Sequence, residues 1–532
     1  MPEQTNADVV IRELMGHGIG TIFTVSGNQI LPLIDAAGRA GIRLVHMRHE
    51  TAAVYAAIAA AELSGQMSVV LVSAGPGFLA SLQGIGVAQS MEVPVLLVSG
   101  DSPASQRGHG AFQSLDQHAI STVVCNGSFE LSATDPIRSV AEAWAATQAV
   151  IPGPAHLSLP ADVLAAPATN QQPEMPETQP WRFDDDVPER LDEMAVALTR
   201  AERPLVIVRP SVAYRDGGKA LRTLTEALRV GAVVTESPRG LSDPKYAEVF
   251  ARAKEADCVL VIGPADFSAG FLSESTFGNP RDVFLIDSSG DPTPQRLNHL
   301  HVRANPQRAL RYMSDHIIQH RHHETVAADW AALWPIPAPT PAPAPTDAGM
   351  HPLAVSEALR AVLQPDDTLI LDGGEFCQWI RYGLRDLPNR LLWNGKLGAI
   401  GGSIPMAIGA AVTATTGRVF AVLGDGSAGY HLSEFETAAR ENLMFTAIIG
   451  NDARWAAEWH MQIERYGPDR TYSTDLTPAR YDLAAEGYGG TGVQVDSPES
   501  LRDALQSALT SEKATCINAL VAPERSPAVV MH

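Results

Sequence analysis

The stretch "LGDGSAGYHLSEFETAARENLMFTAIIGND", residues 423–452, decides how the chain is read. The apolar run that ends at Leu423 passes into Gly424-Asp425-Gly426, and a second, "MFTAIIG" (444–450), passes into Asn451-Asp452. Between them Tyr430, Leu432, Phe435, Ala438 and Ala439 recur at helical spacing from Ser427 onward. Strand, crossing helix and strand make a βαβ unit, so both aspartates are predicted at the carboxyl edge of one parallel sheet, where such sheets bind ligands. Glycines flanking Asp425 permit a sharp turn and close backbone approach, and the helix start behind them offers free amides to an anion. A carboxylate beside phosphate oxygens repels them unless a hard cation lies between, and Mg²⁺ prefers oxygen ligands that it shares with phosphates. Asp425 and Asp452 are therefore candidate metal ligands, and a pyrophosphate held through the metal is the ligand they suit.

The same alternation runs through the whole chain. "MSVVLVSA" (67–74), "VPVLLVSG" (93–100), "RPLVIVRP" (203–210), "DCVLVIGP" (257–264) and "DTLILDGG" (367–374) are apolar without a period of two and are separated by longer helical stretches. Strands of that kind are covered on both faces in parallel sheets. The fold class is α/β, with doubly wound parallel sheets. A polar, proline-bearing stretch at 165–180 and the tract "WPIPAPTPAPAPT" (334–346), read as a stiff extended connector, divide the chain into three domains at 1–165, 182–325 and 348–532. No internal repeat at a fixed period is visible, and neither a Walker loop nor GxGxxG identifies a nucleotide in the middle domain.

Composition narrows the function. The chain has 532 residues, 60 acidic and 39 basic, for a net charge of -21, a field that repels nucleic acid. No basic start leads into an apolar leader and no run of eighteen apolar residues occurs, so neither secretion nor a membrane partner is expected. The alanine-rich "TAAVYAAIAAAEL" (51–63) reads as a buried helix. Cys125, Cys258, Cys377 and Cys516 are scattered, which fits reduced thiols in the cytoplasm and no zinc site. "HIIQHRHH" (316–323) is read as a solvated helix end, because no carboxylate or cysteine stands at ligand spacing with it.

Gly-Asp-Gly followed by Asn-Asp some two dozen residues later resembles the thiamine diphosphate signature. With "FTVSGNQILPLIDA" (23–36), "RLVHMRHETAAVYAA" (43–57), "VSAGPGFLASLQGIGVAQSMEVPVLLVSGD" (72–101) and "WNGKLGAIGGSIPMAIGAA" (393–411), nearly the full chain resembles the acetolactate synthase-like family of thiamine-dependent enzymes, which includes benzaldehyde lyase and the 2-hydroxyacyl-CoA lyases. The resemblance implies a pyrimidine-binding, a central and a pyrophosphate-binding domain, in that order. It implies that Glu50 hydrogen-bonds N1′ of the cofactor pyrimidine and makes the 4′ nitrogen basic. It implies that Ile400 bends the cofactor, that the Gly398 carbonyl accepts from the 4′-amino group and that Gly374 closes over the diphosphate. Gly424, Asp425, Gly426, Ser427, Asp452 and the Arg454 carbonyl complete the diphosphate and metal set. Because family sites form between subunits, a homodimer or a dimer of dimers follows.

Three positions depart from the family pattern. Asp452 stands in place of asparagine and Ala80 in place of another, and Gln29 occupies a position held by histidine in benzaldehyde lyase. Glutamine donates and accepts hydrogen bonds but shuttles no proton near neutral pH. Glu458, six residues after Asp452, is then the candidate acid/base, with Gln113 as orienting partner, while His49 and His460 are assigned structural roles. A flavin or adenine nucleotide in the central domain finds no signature. The resemblance favours a lyase or carboligase, with decarboxylase-type chemistry, on small 2-keto acids or 2-hydroxy ketones. A 2-hydroxyacyl-CoA lyase or oxalyl-CoA-type decarboxylase is the second reading, and a non-catalytic thiamine-binding homologue the third.

Overall fold

The computed structural model describes residues 4–149, 151–168, 187–213, 218–237, 243–263, 274–287, 299–320, 325–334, 336–387, 389–414 and 416–527. The stretch at 169–186, which holds most of the first proposed linker, lies outside them. Residues 336–345 of the proline tract carry neither helix nor strand.

Seventeen strands form three all-parallel sheets among the described residues. The first contains β1 Thr21–Thr24, β2 Arg43–His46, β3 Ser68–Val72, β4 Val95–Asp101, β5 Ser128–Glu130 and β6 Ala155–Pro160, in the order β2-β1-β3-β4-β6-β5. The second contains β7 Pro204–Val208, β8 Ala232–Val234, β9 Cys258–Ile262, β10 Asp282–Asp287 and β11 His299–Arg303, in the order β11-β10-β9-β7-β8. The third contains β12 Thr368–Leu371, β13 Arg390–Trp393, β14 Val419–Gly424, β15 Thr446–Asn451, β16 Thr491–Val495 and β17 Thr515–Leu520, in the order β13-β12-β14-β15-β17-β16. Three parallel-sheet α/β layers are thus present, as the unalternating apolar runs predict. The first and third sheets are wound identically. The sequence shows no fixed period because the winding is preserved while the helices and loops between strands differ in length.

The chain divides into two compact units. One comprises Met1–Pro176, Pro341–Ile380 and Pro388–Ser526 and holds both six-stranded sheets; the other comprises Glu177–Thr340, Arg381–Leu387 and Pro527–His532 and holds the five-stranded sheet. In the first unit one of two buried cores runs through both sheets, the other covering the opposite face of the first sheet. The centre of the shared core is the helix Glu50–Ser64, buried from Thr51 to Ala61, against the helix Ser403–Thr413. An all-round apolar helix of small residues is what such a double contact requires. A Cβ placed on Gly409 would lie 2.0 Å from the Ala56 carbonyl oxygen, so the backbones meet with no room for a methyl group. Gly409→Ala is therefore expected to destabilise the unit by about 1–3 kcal/mol despite alanine's better helix propensity. A urea unfolding midpoint that fails to drop would contradict that packing.

The third sheet reverses its winding between β12 and β14, which opens a crevice at their carboxyl ends. Leu371 pairs with Val422 and Gly424 with Gly450. The segments that follow β12, β14 and β15 consequently reach the same edge: Asp372–Gly374, Asp425–Ser427 and Asp452–Arg454. No helix among the described residues is long and apolar enough to cross a membrane. All four cysteines are free, and Cys258, Cys377 and Cys516 are buried. His316 pairs with Asp192 at 2.9 Å, whereas residues 321–323 of the histidine cluster lie outside the described residues.

Candidate functional site

Asp425 is the first residue of a helix, Asp425–His431, with Gly424 in extended backbone as its N-cap. The segment with helical spacing from Ser427 holds two helices, Asp425–His431 and the crossing helix Glu434–Glu441. Asp425 and Gly426 thus form the first helical turn itself, with Asp425 Oδ1 accepting from the Gly426 amide at 2.8 Å. A Cβ on Gly426 would lie 2.6 Å from the Trp455 ring, which covers that turn. Ser427 is buried beneath it.

The loop after β15 wraps the same carboxylate. The backbone amides of Arg454 and Ala453 lie near Asp425 and partly offset the effect of its burial, while Asp452 Oδ1 accepts from the Arg454 amide at 3.1 Å and Asn451 Oδ1 from the Ala453 amide at 3.2 Å. Asp425 Oδ2 is buried with no hydrogen-bond partner. Burial pushes the Asp425 carboxyl up to about 6; burial and the neighbouring Asp425 charge push Asp452 up to about 7. A buried carboxylate with an orphaned oxygen, beside a half-buried carboxylate whose proton affinity it raises, fits a hard divalent cation. Among the described residues no group of three or more His, Cys, Asp and Glu side chains could hold a metal, so backbone or ligand oxygens would complete the shell.

The sign of the pH dependence follows from these two groups. Both carboxyls hold protons more tightly folded than unfolded, so the metal-free fold is most stable when both are protonated. It loses stability as pH rises from the ordinary aspartate value of 3.8 toward about 7. The melting temperature in chelator is expected to fall from pH 5 to pH 7.5, and Mg²⁺ to restore more of it at pH 7.5 than at pH 5. A metal increment independent of pH would contradict the placement of the ion between these carboxylates.

At the same sheet edge, Gly374 follows β12 with φ 101° and an open face. Ile400 leans on Gly373, its Cγ2 lying 2.7 Å from where a Cβ would stand, with the Gly398 carbonyl 3.9 Å from that point. The structure therefore brings Gly373, Gly398 and Ile400 together. Asp372, which sequence reasoning passed over, is wholly buried and accepts from the Gly373, Gly401 and Ser403 amides. Its signal was an aspartate directly after a strand and before two glycines.

Glu50 begins its helix, with His49 as N-cap accepting from the Thr51 amide at 3.1 Å. The structural role assigned to His49 is that cap. Glu50 is half-buried against Gly77, where a Cβ would lie 3.3 Å from its Oε1, and its carboxylate has no hydrogen bond or ion pair among the described residues. The Ala80 carbonyl accepts from the Thr51 hydroxyl. Glu434, also missed, is buried and accepts from the Arg48 amide at 3.0 Å and the Thr437 hydroxyl at 2.6 Å. Burial pushes its carboxyl up to about 7. It ties the turn before Glu50 to the helix Glu434–Glu441.

Gln29 and Gln113 meet. The Ser73 hydroxyl donates to Gln29 Oε1 at 2.6 Å, and Gln29 Nε2 donates to Gln113 Oε1 at 2.7 Å. This orients the Gln113 amino group as the outer donor of a three-residue chain. Gln113 is held at φ 60°, a strained conformation for a residue with a side chain and one that tends to occur at functional sites.

Glu458 is exposed in the first turn of the helix Ala456–Tyr466. Trp459 carries the Arg454 guanidinium 4.4 Å over its ring. The far side of this helix is tied down: Arg525 pairs with Glu464 at 3.0 Å, and buried Glu375 accepts from the Ser526 amide at 2.6 Å and its hydroxyl at 2.8 Å. Residues 524–526 thus tie the Glu375 helix to the Glu458 helix. His460 Nε2 is buried without a hydrogen-bond partner among the described residues.

Residues 4–120 match the family model described as "Thiamine pyrophosphate enzyme, N-terminal TPP binding domain", and residues 372–519 its C-terminal TPP binding domain. The chain is 27% identical to a probable acetolactate synthase of Mycobacterium bovis, over 97% of this chain and 95% of that protein. It is 28% identical to the 2-hydroxyacyl-CoA lyase 2 of Bos taurus, over 93% of this chain and 86% of that protein. Among solved structures, the thiamine diphosphate-dependent 4-hydroxybenzoylformate decarboxylase of Rhodococcus jostii has the same fold, with a TM-score of 0.82, 20% identity, and 98% of this chain and 99% of that chain covered.

Proposed function

Because this chain belongs to the thiamine diphosphate-dependent enzymes related to acetolactate synthase and 2-hydroxyacyl-CoA lyase, we propose that it is a Mg²⁺-dependent C–C lyase or carboligase. Its substrates on this reading are small 2-keto acids or 2-hydroxy ketones. The observation that supports the metal-bound cofactor is the Asp425–Asp452 pair, with the buried, orphaned Asp425 Oδ2, at the carboxyl edge of the third sheet. Asp425, Asp452 and the Arg454 carbonyl would hold the ion; Gly424, Gly426, Ser427 and Gly374 would receive the diphosphate. Ile400 and the Gly398 carbonyl would receive the ring end. When bound, thiamine diphosphate supplies a carbon nucleophile and an electron sink for cleaving or joining the bond next to a carbonyl.

The protein's own groups do the rest. Glu50 would hold and release a proton at the cofactor pyrimidine, a role open to a carboxylate with no other partner among the described residues of its own chain. Residues 1–165 serve as pyrimidine-binding domain, 348–532 as pyrophosphate-binding domain and 182–325 as the central domain. Assembly as a homodimer or dimer of dimers would bring Glu50 of one subunit to the diphosphate end of the next, in the cytoplasm, where the four thiols stay reduced. Glu458, exposed at that edge, is the acid/base for the substrate oxygen. The Ser73–Gln29–Gln113 chain presents a neutral amide donor that binds a carbonyl oxygen without exchanging protons, which suits small neutral or 2-keto substrates.

A second reading, an acyl-CoA substrate, is favoured by the similarity to 2-hydroxyacyl-CoA lyase 2. Incubating the cofactor-loaded protein separately with 2-keto acids, 2-hydroxy ketones and acyl-CoA thioesters, with products identified by mass spectrometry, distinguishes the two. Turnover of the first two classes alone supports the proposal. Turnover of thioesters alone replaces it with the second reading.

A further inference from the structure

The residues that would bend the cofactor sit on a loop, 398–402, that has little helix or sheet to hold it. Gly401 in that loop is gripped on both sides. Its amide donates to Asp372 Oδ1 at 2.9 Å, and its carbonyl accepts from His431 Nδ1 at 2.8 Å. A carbonyl can only accept, so His431 carries its proton on Nδ1; burial keeps the ring neutral, its pKa pushed down to about 4. The first bond fixes the peptide plane between Ile400 and Gly401, and the second fixes the plane between Gly401 and Gly402. A chain has only two soft torsions per residue, so fixing both flanking planes fixes Gly401. The same Asp372 carboxylate accepts from the Ser403 amide at 3.0 Å, and Asn394 donates to the Ala399 carbonyl.

The position tolerates no other residue. Gly401 has φ 90°, and a Cβ there would lie 2.4 Å from Tyr430 Cβ. His431 is the last residue of the helix whose first residue is Asp425. One seven-residue helix therefore carries a candidate metal ligand at one end and the grip on the loop at the other. Asp372 is buried with its donors, and His431 is buried at the edge of the His49 ring, 5.5 Å between centroids, next to the turn that leads into Glu50.

We propose that Asp372 and His431 are positioning residues that clamp Gly401 and so hold the Gly398 carbonyl and the Ile400 side chain in the geometry that activates the cofactor. This rests on the cofactor reading above, and the test separates the two. In the metal-free, cofactor-free protein, amide exchange of the peptide spanning 398–403 is followed by mass spectrometry in wild type, His431→Leu and His431→Asn. Asparagine places an amide donor near the position of Nδ1, whereas leucine keeps the bulk and removes the donor. The loss of one hydrogen bond is expected to speed exchange of the loop in His431→Leu by about tenfold, with His431→Asn close to wild type.

The same proteins loaded with thiamine diphosphate and Mg²⁺ then report the consequence. Calorimetric cofactor uptake by His431→Leu is expected to stay within about threefold of wild type, since the diphosphate contacts are intact, while deuterium exchange at the cofactor C2 slows at least about tenfold and recovers in His431→Asn. If His431→Leu does not fold, His431→Gln, whose amide stands one methylene too far out, takes its place. Unchanged loop exchange overturns the clamp. Faster loop exchange with unchanged C2 exchange overturns its positioning role. Wild type that takes up no cofactor overturns the cofactor reading and the positioning role with it, while loop exchange still decides whether the clamp exists.

Discussion

Asp425→Ala is expected to take up no measurable thiamine diphosphate at Mg²⁺ concentrations that saturate wild type. Asp425 is the buried member of the acid pair whose second oxygen lacks any partner, at the start of the helix that faces the crevice. Loss of partners that merely orient a metal ligand costs 10–100-fold in affinity, so removing a ligand outright should weaken uptake by about 100-fold or more. The fold should survive. Asp425 is a buried acid whose ionisation is opposed by burial, so its removal relieves the metal-free protein instead of straining it. The melting temperature of Asp425→Ala in chelator at pH 7.5 is expected to equal or exceed that of wild type. A variant that binds cofactor normally would place the metal elsewhere; one that unfolds would make Asp425 a structural acid.

Glu50→Gln should separate binding from chemistry. The Glu50 carboxylate has no partner among the described residues, so replacing it leaves no buried group unpaired and the melting temperature should not move. Glutamine fits the same space beside Gly77, and cofactor uptake should stay within about tenfold, because the diphosphate end carries most of the affinity. Turnover should drop by about 10²–10⁴-fold, the usual worth of a positioned proton-transfer group. Steady-state rates on whichever substrate class is turned over, with calorimetry on the same preparation, measure both. Undiminished turnover would remove Glu50 from the chemistry.

Both experiments act on residues that could be read before any coordinates. Gly-Asp-Gly and Asn-Asp were legible because backbone needs dictate them: a strand end beside a ligand allows only small residues, and a cation demands oxygen. The buried alanine helix 51–63 was legible for the same reason, since close helix contact excludes side chains. The separate short helix Asp425–His431 was not, because the apolar spacing of Tyr430, Leu432 and Phe435 runs on without a break into the crossing helix Glu434–Glu441. Asp372, marked only by its place between a strand and two glycines, and His431, not marked at all, were passed over for a different reason. Their meaning lies in contacts with Gly401, 29 and 30 residues away, which no local pattern encodes. Glu434 is alike, reaching Arg48 across 386 positions. The identical winding of the first and third sheets is likewise a property of topology, shared by segments of unlike length.

The central claim is that a divalent ion joins the Asp425–Asp452 pair to the cofactor's diphosphate. The most direct measurement is isothermal titration of thiamine diphosphate into chelator-treated wild-type protein, with and without added Mg²⁺. Saturable heat at one cofactor per chain in the presence of Mg²⁺, and none in its absence, is the result this structure leads to. Equal uptake under both conditions, or no uptake under either, would contradict it.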